Sequence, residues 1–222
     1  MEKEKYLILD FGNVIAGAAT GNWFITPNFY EIIDKDNFDI NLFNKYINNY
    51  SKLISSKLEK EEEEYEVFTK LYYNILNDMK YKGNIKEISR KIAYDFTYND
   101  DKYILFFDVK ESLEKLSKKY KLLLLSDNWP CVYRIMKDWN IDKYFDNMYI
   151  SSVYNAKKEE KILFDYPIKD YKIAKGEAIF IDDKEELVDI GNEKGLIPIV
   201  MDRNNEYKNC KYRKISSLIE LL

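Results

Sequence analysis

The strongest constraint on the fold is a set of short apolar runs, each of which ends in acidic or polar residues. The runs and the residues that follow them are 6–9 before Asp10, 122–125 before Ser126, Asp127 and Asn128, and 178–181 before Asp182 and Asp183. Four apolar residues without polar alternation are typical of strands that are buried on both faces of a parallel sheet. Further candidate strands are 103–106, 147–150 and 197–201.

Helical periodicity separates many of these runs. Apolar residues spaced three or four positions apart predict helices over 109–120, 132–139 and 184–194. Asp108 stands at the predicted N-cap of the first of these helices, with Glu111 three residues later. Strands that alternate with helices predict an α/β fold built on a doubly wound parallel sheet.

One long interval, from about residue 20 to about residue 100, lacks comparable strand runs. It contains helical patterns over 29–33, 42–58 and 67–79, and the acidic run 61–64 precedes the last of them, where negative charge favours a helix start. We therefore expect an α/β core formed by residues 1–18 and 101–222. Residues 19–100 are expected to form an all-helical cap domain inserted after the first strand.

The composition excludes several kinds of function. The 222 residues include no histidine, so histidine-based triads, general bases and zinc sites are absent. Cys131 and Cys210 are the two cysteines and do not suggest a disulfide framework. A net charge of −4, with four arginines among 35 basic residues, argues against nucleic-acid binding. No apolar run approaches the ~20 residues of a membrane span, and residues 1–5 do not resemble a signal peptide. We expect a cytoplasmic protein without a membrane partner, as a monomer or homodimer.

The candidate active site lies where the three clearest strands end. Because the carboxyl ends of parallel strands share one edge of a sheet, Asp10, Asp182 and Asp183 should meet there. Clustered carboxylates repel one another unless a cation binds them, and an all-oxygen ligand set suits Mg²⁺ with a phosphate oxygen. One aspartate could then attack phosphorus covalently, while Lys157 or Lys158 screens the developing charge. A separation above about 10 Å between Asp10 and the acidic pair would exclude this site.

Four segments, taken together, resemble the motifs of the haloacid-dehalogenase-like (HAD) hydrolases. In order, they are residues 9–14, residues 125–128, residues 151–152 with Lys158 and 163–164, and residues 181–183. The resemblance extends from residue 6 to about residue 201, with the helical insertion at the position of that family's small cap. It implies a Rossmann-like core.

The resemblance also implies roles for individual residues. Asp10 would be the nucleophile that forms an aspartyl-phosphate, Ser126 would hydrogen-bond a phosphoryl oxygen, and Lys158 would hold nucleophile and phosphate together. The implied Mg²⁺ ligands are Asp10, Asp182, Asp183 and the backbone carbonyl of Gly12. The implied substrate-binding residues are Phe11 and Gly12 through their backbone amides, Asn13, and Asp127 and Asn128, although the last two could instead only terminate the strand.

Gly12 is the main departure from the commonest family pattern, which has a general-acid aspartate at that position. The sequence Asp10-Phe11-Gly12-Asn13 is most similar to a branch that includes sugar-phosphate phosphatases and the amino-terminal domains of epoxide hydrolases. We therefore expect a Mg²⁺-dependent phosphatase that acts on a small phosphorylated metabolite. Two alternatives remain open: a phosphate-binding or regulatory module with weak turnover, and a 2-haloacid dehalogenase. The dehalogenases use the same aspartate without Mg²⁺ and usually lack the paired acids.

Overall fold

The computed structural model describes residues 5–50 and 57–222. The predicted helix over 42–58 therefore falls partly outside the described residues. The strands are β1 (Tyr6–Leu9), β2 (Ala16–Ala18), β3 (Tyr103–Leu105), β4 (Lys121–Ser126), β5 (Phe145–Ile150), β6 (Ala178–Asp182), β7 (Ile197–Met201) and β8 (Arg213–Ile215). The helices are α1 (Phe29–Ile32), α2 (Ile40–Tyr50), α3 (Glu61–Asp78), α4 (Ile85–Tyr98), α5 (Val109–Leu116), α6 (Cys131–Asp138), α7 (Ser151–Tyr154), α8 (Ile162–Tyr171) and α9 (Glu185–Glu193).

Six strands form one parallel sheet in the order β5-β4-β1-β6-β7-β8. The chain runs outward from β1 through β4 to β5, and then returns to the other side of β1 for β6, β7 and β8. The strand order therefore reverses at β1, which is where open α/β sheets bind their ligands. The fold confirms the predicted α/β class and the doubly wound parallel sheet.

The apolar runs form the central strands because both of their faces are buried. Every residue of β6 is buried, and so are all residues of β4 except the first. On one face, Ile8, Leu123 and Phe180 pack in a single core cluster with Phe164 of α8 and Val188 of α9. Residues on the other face, such as Leu7 and Leu122, are equally buried, so the sheet has no solvated face at its centre.

The chain divides into two compact units. One contains the sheet and comprises the chain up to Gly17, Leu105–Asn128 and Val132–Leu222. The other comprises Ala18–Ile104 and Trp129–Cys131. The short strands β2 and β3 pair with each other in a separate two-stranded sheet.

Aromatic side chains form the core of the second, helical unit. Phe68 of α3 stacks on Phe96 of α4 with ring centroids 3.9 Å apart, and Tyr72 and Phe43 belong to the same cluster. The same unit buries Glu64, which accepts a hydrogen bond from the backbone N–H of Cys131 at 2.9 Å and lies 3.9 Å from the Lys102 ammonium. Among the helices of the described residues, none combines the length and apolarity needed to cross a membrane.

All six predicted strands are present, whereas several other elements were not predicted. The unpredicted elements are β2, β8, α4, α7 and α8. Asp108 occupies the N-cap position of α5, as the sequence predicted. The helix does begin at Val109, but the Asp108 side chain makes no capping hydrogen bond, because its carboxylate is paired with Arg203.

Candidate active site

The three strands that supply the predicted site lie side by side at the centre of the sheet. Leu9, the last residue of β1, is in register with Leu124 of β4 and Ile181 of β6. Asp10 directly follows β1, while Ser126 and Asp182 are the last residues of their strands. The parallel register therefore brings these side chains to the same edge of the sheet.

Three carboxylates form a compact cluster at this edge. Asp10, Asp182 and Asp183 each offer one carboxylate oxygen, and these oxygens all lie within 4.8 Å of one another. Asp10 and Asp182 are buried, and Asp183 is half-buried. The distance is well below the 10 Å limit set from the sequence.

Lys158 is the lysine that reaches the cluster. Its ammonium nitrogen lies 2.9 Å from Oδ1 of Asp10 and 2.6 Å from Oδ2 of Asp182. The side chain is 2% exposed, and its backbone N–H donates to Asp127 at 3.2 Å. Lys157, which the sequence could not distinguish from it, is half-buried, and its backbone N–H donates to Glu160.

Burial dominates the protonation of the cluster. Burial raises the pKa of Asp10 above its ordinary value, Asp182 adds to the rise, and Lys158 and a hydrogen bond with the Ser126 hydroxyl oppose it. Burial likewise raises the pKa of Asp182, against the opposing effect of Lys158. Burial and Asp10 raise the pKa of Asp183, and the Asn13 amide, Lys184 and Lys158 oppose the rise. Burial alone would lower the pKa of Lys158, but Asp10 and Asp182 raise it, so the ammonium stays protonated. The Lys158 ammonium thus contacts two of the three carboxylates, and the pKa of all three stays above its ordinary value.

The segment with the predicted substrate-binding amides, those of Phe11 and Gly12, forms a turn directly after Asp10. The carbonyl of Phe11 accepts hydrogen bonds from the backbone N–H groups of Ile15 and Ala16, at 2.9 and 3.0 Å. The buried Phe11 ring stacks on Trp139, with centroids 6.1 Å apart and an interplanar angle of 4°. Gly12 pairs with Ala16 in an isolated bridge. The turn therefore has a fixed backbone beside the nucleophile candidate.

Asn13 connects two of the predicted segments. Its backbone has a φ of 53°, a left-handed conformation that asparagine tolerates better than most residues. Its side-chain amide donates to Oδ2 of Asp183 at 2.7 Å. The substrate-binding role expected of Asn13 stays a prediction, and what the structure shows is a direct hydrogen bond to the acidic pair.

The residues after Ser126 contact the neighbouring loop. The backbone N–H of Asn128 donates to the Ser151 hydroxyl at 3.1 Å, and its carbonyl accepts from the backbone N–H of Ser152 at 3.4 Å. Asp127 accepts from Lys158, as described above. These bonds hold the ends of β4 and β5 together, and a contact of Asp127 or Asn128 with substrate stays a prediction.

The sequence did not indicate three further residues near the site. Arg203 donates to the carbonyls of Asn13 and Val14, Asp108 pairs with Arg203, and Tyr207 donates to the carbonyl of Asp183. Arg203 follows β7 by two residues, so the strand-end rule that located the acids also applies to it. The two others contact the site only through backbone groups or through Arg203.

The donor set fits a small divalent cation. Three carboxylate oxygens are the hard ligands that Mg²⁺ takes at roughly 2.0–2.1 Å, so two of them on one ion lie at most ~4.2 Å apart. The observed upper limit of 4.8 Å needs only a small rotation of a carboxylate. With Lys158 protonated and the three acids ionised, the group carries a net charge of −2, which one such ion neutralises.

A parallel sheet with an acid–lysine cluster at its carboxyl edge defines an α/β protein whose candidate active site lies at the reversal of strand order. The sequence matches the family model described as haloacid dehalogenase-like hydrolase over residues 7–196. The chain therefore belongs to the haloacid dehalogenase-like hydrolases.

Solved structures of this family share the fold. The magnesium-bound HAD-hydrolase YfnB from Bacillus subtilis superposes with a TM-score of 0.71 at 13% identity, over 99% of this chain and 97% of that chain. The L-2-haloacid dehalogenase from Xanthobacter autotrophicus superposes with a TM-score of 0.72 at 11% sequence identity, over 98% of this chain and 96% of that chain. A HAD phosphatase from Thermococcus onnurineus superposes with a TM-score of 0.60 at 19% sequence identity, over 98% of this chain and 95% of that chain. At these identities the likeness shows the fold alone. No curated protein matches the sequence.

Proposed function

We propose that this protein is a Mg²⁺-dependent phosphatase that hydrolyses a small phosphomonoester, such as a sugar phosphate, through an aspartyl-phosphate on Asp10. The observation that carries the proposal is the cluster of Asp10, Asp182 and Asp183 with Lys158. Its carboxylates lie within 4.8 Å of one another, and the ammonium contacts two of them. A net charge of −2 around a buried carboxylate suits a site that binds a divalent cation together with a phosphate.

In the first step, the Asp10 carboxylate attacks phosphorus and the bond from phosphorus to the ester oxygen breaks. The phosphoryl group passes to Asp10, and the ester oxygen leaves as an alkoxide that takes a proton from water. In this proposal Lys158 and the Ser126 hydroxyl stabilise negative charge on the phosphoryl oxygens. A bound magnesium ion would neutralise further charge on those oxygens. Water then cleaves the aspartyl-phosphate, which releases inorganic phosphate and restores the Asp10 carboxylate.

Gly12 makes the first step depend on the leaving group. A general acid contributes ~10²–10⁴-fold to such a reaction, and glycine has no side chain to supply the proton. Esters with acidic leaving groups need little protonation when they leave. We therefore expect aryl phosphates to be hydrolysed faster than alkyl phosphates by a larger factor than in a phosphatase with an acid at this position.

Dehalogenation is the second candidate, because dehalogenases are among the structures that share this fold with TM-scores of 0.71–0.72. In that reaction the same aspartate displaces halide from carbon and no divalent cation is needed. The three clustered carboxylates favour phosphate chemistry, since a reaction without a divalent cation does not need the paired acids at the end of β6 as metal ligands. A phosphate-binding module without useful turnover is the third reading, and the absence of a side chain at Gly12 is its motivation.

Assays on the purified chain would separate these functions. We expect hydrolysis of an aryl phosphate that requires Mg²⁺, stops with EDTA and is lost in Asp10→Asn. Asp165→Asn is the matched control, because that aspartate is exposed and pairs with Lys194 on the surface. Halide release from a 2-haloacid in EDTA would support dehalogenation instead. Binding of a metal-fluoride phosphate mimic, without hydrolysis across a panel of phosphate esters, would support the binding module.

A further inference from the structure

The segment that connects β7 to β8, residues 202–212, contacts both loops that carry the clustered carboxylates. We term it the β7–β8 segment. Arg203, near its start, contacts the loop after β1, and Tyr207 contacts the loop after β6. Each contact is made to backbone carbonyls, so both residues fix the chain that carries the carboxylates and leave the carboxylate oxygens available.

Arg203 holds the loop after β1 through two carbonyls. Its Nε donates to the carbonyl of Asn13 at 3.0 Å, and its Nη2 donates to that of Val14 at 2.6 Å. The Asp108 carboxylate accepts from Nη1 at 2.9 Å, and the guanidinium lies 4.0 Å from the ring centroid of Phe106. These contacts hold the planar guanidinium in a single orientation. A lysine ammonium cannot make the same set of hydrogen bonds and ring contact.

The orientation of Arg203 is set from outside the site, through Asp108. This buried carboxylate also accepts from the hydroxyl of Ser217 and from the backbone N–H of Leu218, both at 2.8 Å. Burial alone would raise the pKa of Asp108, but the hydrogen bonds from Arg203, Ser217 and Leu218 bring it below its ordinary value. Asp108 is therefore a fixed, ionised anchor for the guanidinium.

Tyr207 holds the loop after β6. Its hydroxyl donates to the carbonyl of Asp183 at 2.8 Å and accepts from the backbone N–H of Glu185 at 3.4 Å. The backbone of Tyr207 is itself held, because its N–H donates to Asp202 at 3.2 Å and the Lys214 ammonium bonds the same oxygen at 2.7 Å. The hydroxyl thus reaches Asp183 from a restrained position.

These contacts close a ring of hydrogen bonds across the site. Arg203 holds Asn13 by its carbonyl, the Asn13 amide donates to Asp183 at 2.7 Å, and Tyr207 holds Asp183 by its carbonyl. The β7–β8 segment connects Tyr207 back to Arg203. Asp10 lies three residues before Asn13, so the ring fixes the separation of two carboxylates that come from different strands.

We propose that Arg203 and Tyr207 are positioning residues that set the separation of Asp10 and Asp183 for binding of a divalent cation. This inference rests on the proposed function, because it takes the cluster to be a cation site. Groups that orient metal ligands without touching the metal typically change metal affinity or activity by ~10–100-fold when they are replaced. An effect of that size should follow when one bond of the ring is removed.

Tyr207→Phe is the mildest test, since it removes one hydroxyl and keeps the ring. Tyr133→Phe is its matched control, because the Tyr133 hydroxyl also donates to a backbone carbonyl, that of Met148 at 3.1 Å, in the same unit of the chain. Calorimetric titration of the metal-free full-length chain with MgCl₂ measures the effect without relying on turnover. We expect Tyr207→Phe to raise the Kd for Mg²⁺ about tenfold or more, and Tyr133→Phe to leave it within about twofold.

Arg203→Lys tests the other half of the ring, with Arg213→Lys as its control. Arg213 likewise donates to a backbone carbonyl, that of Glu220 at 3.2 Å, but makes no described contact with the site loops. We expect Arg203→Lys to weaken Mg²⁺ binding by ~10–100-fold. At saturating Mg²⁺, kcat for an aryl phosphate should fall more than KM rises. The urea unfolding midpoint of each variant separates a local effect from a general loss of stability.

Two outcomes would overturn the inference. The first is a Mg²⁺ affinity in Tyr207→Phe and Arg203→Lys that matches their controls, because Asp10 and Asp183 would then hold their positions without these contacts. The second is a wild-type chain that binds no Mg²⁺, whatever substrates it turns over. A wild-type chain that binds Mg²⁺ but hydrolyses no phosphate ester would instead contradict the proposed function alone, and the titrations would still decide the inference.

Discussion

Replacement of Lys158 by methionine should destabilise the metal-free protein more than any other loss of a lysine ion pair in the sheet-bearing unit. The ammonium lies 2.9 Å from one buried carboxylate and 2.6 Å from another, on Asp10 and Asp182. Methionine has a similar length and fills the same space, so the change removes charge with little loss of packing. Two buried carboxylates would then lack their cationic partner.

The loss in free energy of unfolding can be bounded in two ways, from the lost attraction and from the cost of protonating a carboxylate. At an effective dielectric constant of about 20, each of the two pairs contributes roughly 6 kcal/mol of attraction, and the desolvation of the ammonium offsets several kcal/mol of the total. A carboxylate without a partner can instead take up a proton, which at pH 7 costs about 4 kcal/mol for a group with the ordinary pKa of 3.8. The attraction sets an upper limit, and the cost of proton uptake lies within the ~3–5 kcal/mol that is typical when one partner of a buried pair is removed.

Thermal unfolding in EDTA, followed by circular dichroism, measures this loss. A decrease of 3–5 kcal/mol lowers the Tm of a chain of this size by roughly 6–20 °C. The deficit should be smaller at pH 5 than at pH 8, because proton uptake by the stranded carboxylates is easier at low pH. Lys161→Met is the control: this lysine pairs with Glu193 on the surface, where a pair contributes about 0–1 kcal/mol. A Lys158→Met chain that melts within about 1 °C of the wild type would refute the reasoning.

Three shorter predictions follow from other parts of the structure. Asp108→Asn should lower the free energy of unfolding by about 3–5 kcal/mol at pH 7. In urea titrations this deficit should shrink as the pH falls below 3.8, because the lowered pKa of Asp108 means that the wild type gains stability only while the group is ionised. A thiol reagent at pH 8 should label Cys210 in the native chain but Cys131 only in urea, since burial raises the pKa of the Cys131 thiol and shields it. Gly191→Ala should lower stability by ~1–3 kcal/mol in the same urea assay, because the added Cβ would lie 2.6 Å from the Phe180 ring.

The parallel sheet was predictable because its central strands must be apolar on both faces. The segments that form β1, β4 and β6 are themselves continuous apolar runs, so each can be recognised as a strand without knowledge of its neighbours. The strands β2 and β8 have three residues each, with sequences AGA and RKI, and they are strands only because β3 and β7 pair with them. The helix α8 contains Pro167 in its interior, which conceals its pattern. By contrast, α4 begins at a common type of N-cap, since the Asn84 side chain accepts a hydrogen bond from the backbone N–H of Glu87. This helix could therefore have been predicted from the sequence.

The site was predictable to the extent that it depends on strand ends. Asp10, Ser126 and Asp182 follow apolar runs, so topology alone brings them together. The choice between Lys157 and Lys158 depends on the turn after α7, where Asn155 takes a left-handed conformation, and no apolar pattern specifies it. The contacts of Arg203 could not be predicted from the sequence. Its partners on the loop after β1 are backbone carbonyls, which every residue type has.

The carboxylates of the site differ from other buried acids in the same unit. Asp108 and Asp202 expose as little surface as Asp10, at 2%, 6% and 6%, but they lie less deep in the protein. Burial alone would raise the pKa of both, yet hydrogen bonds from Arg203 and Lys214 respectively, together with backbone N–H donors, bring it below its ordinary value. At these shallower positions the hydrogen bonds outweigh the desolvation of the carboxylate. At Asp10, Asp182 and Asp183 desolvation outweighs the compensating contacts: Lys158 contacts two of the three carboxylates, and the pKa of each stays raised. Undercompensated charge costs stability in the metal-free chain, and it is the feature that a divalent cation would relieve.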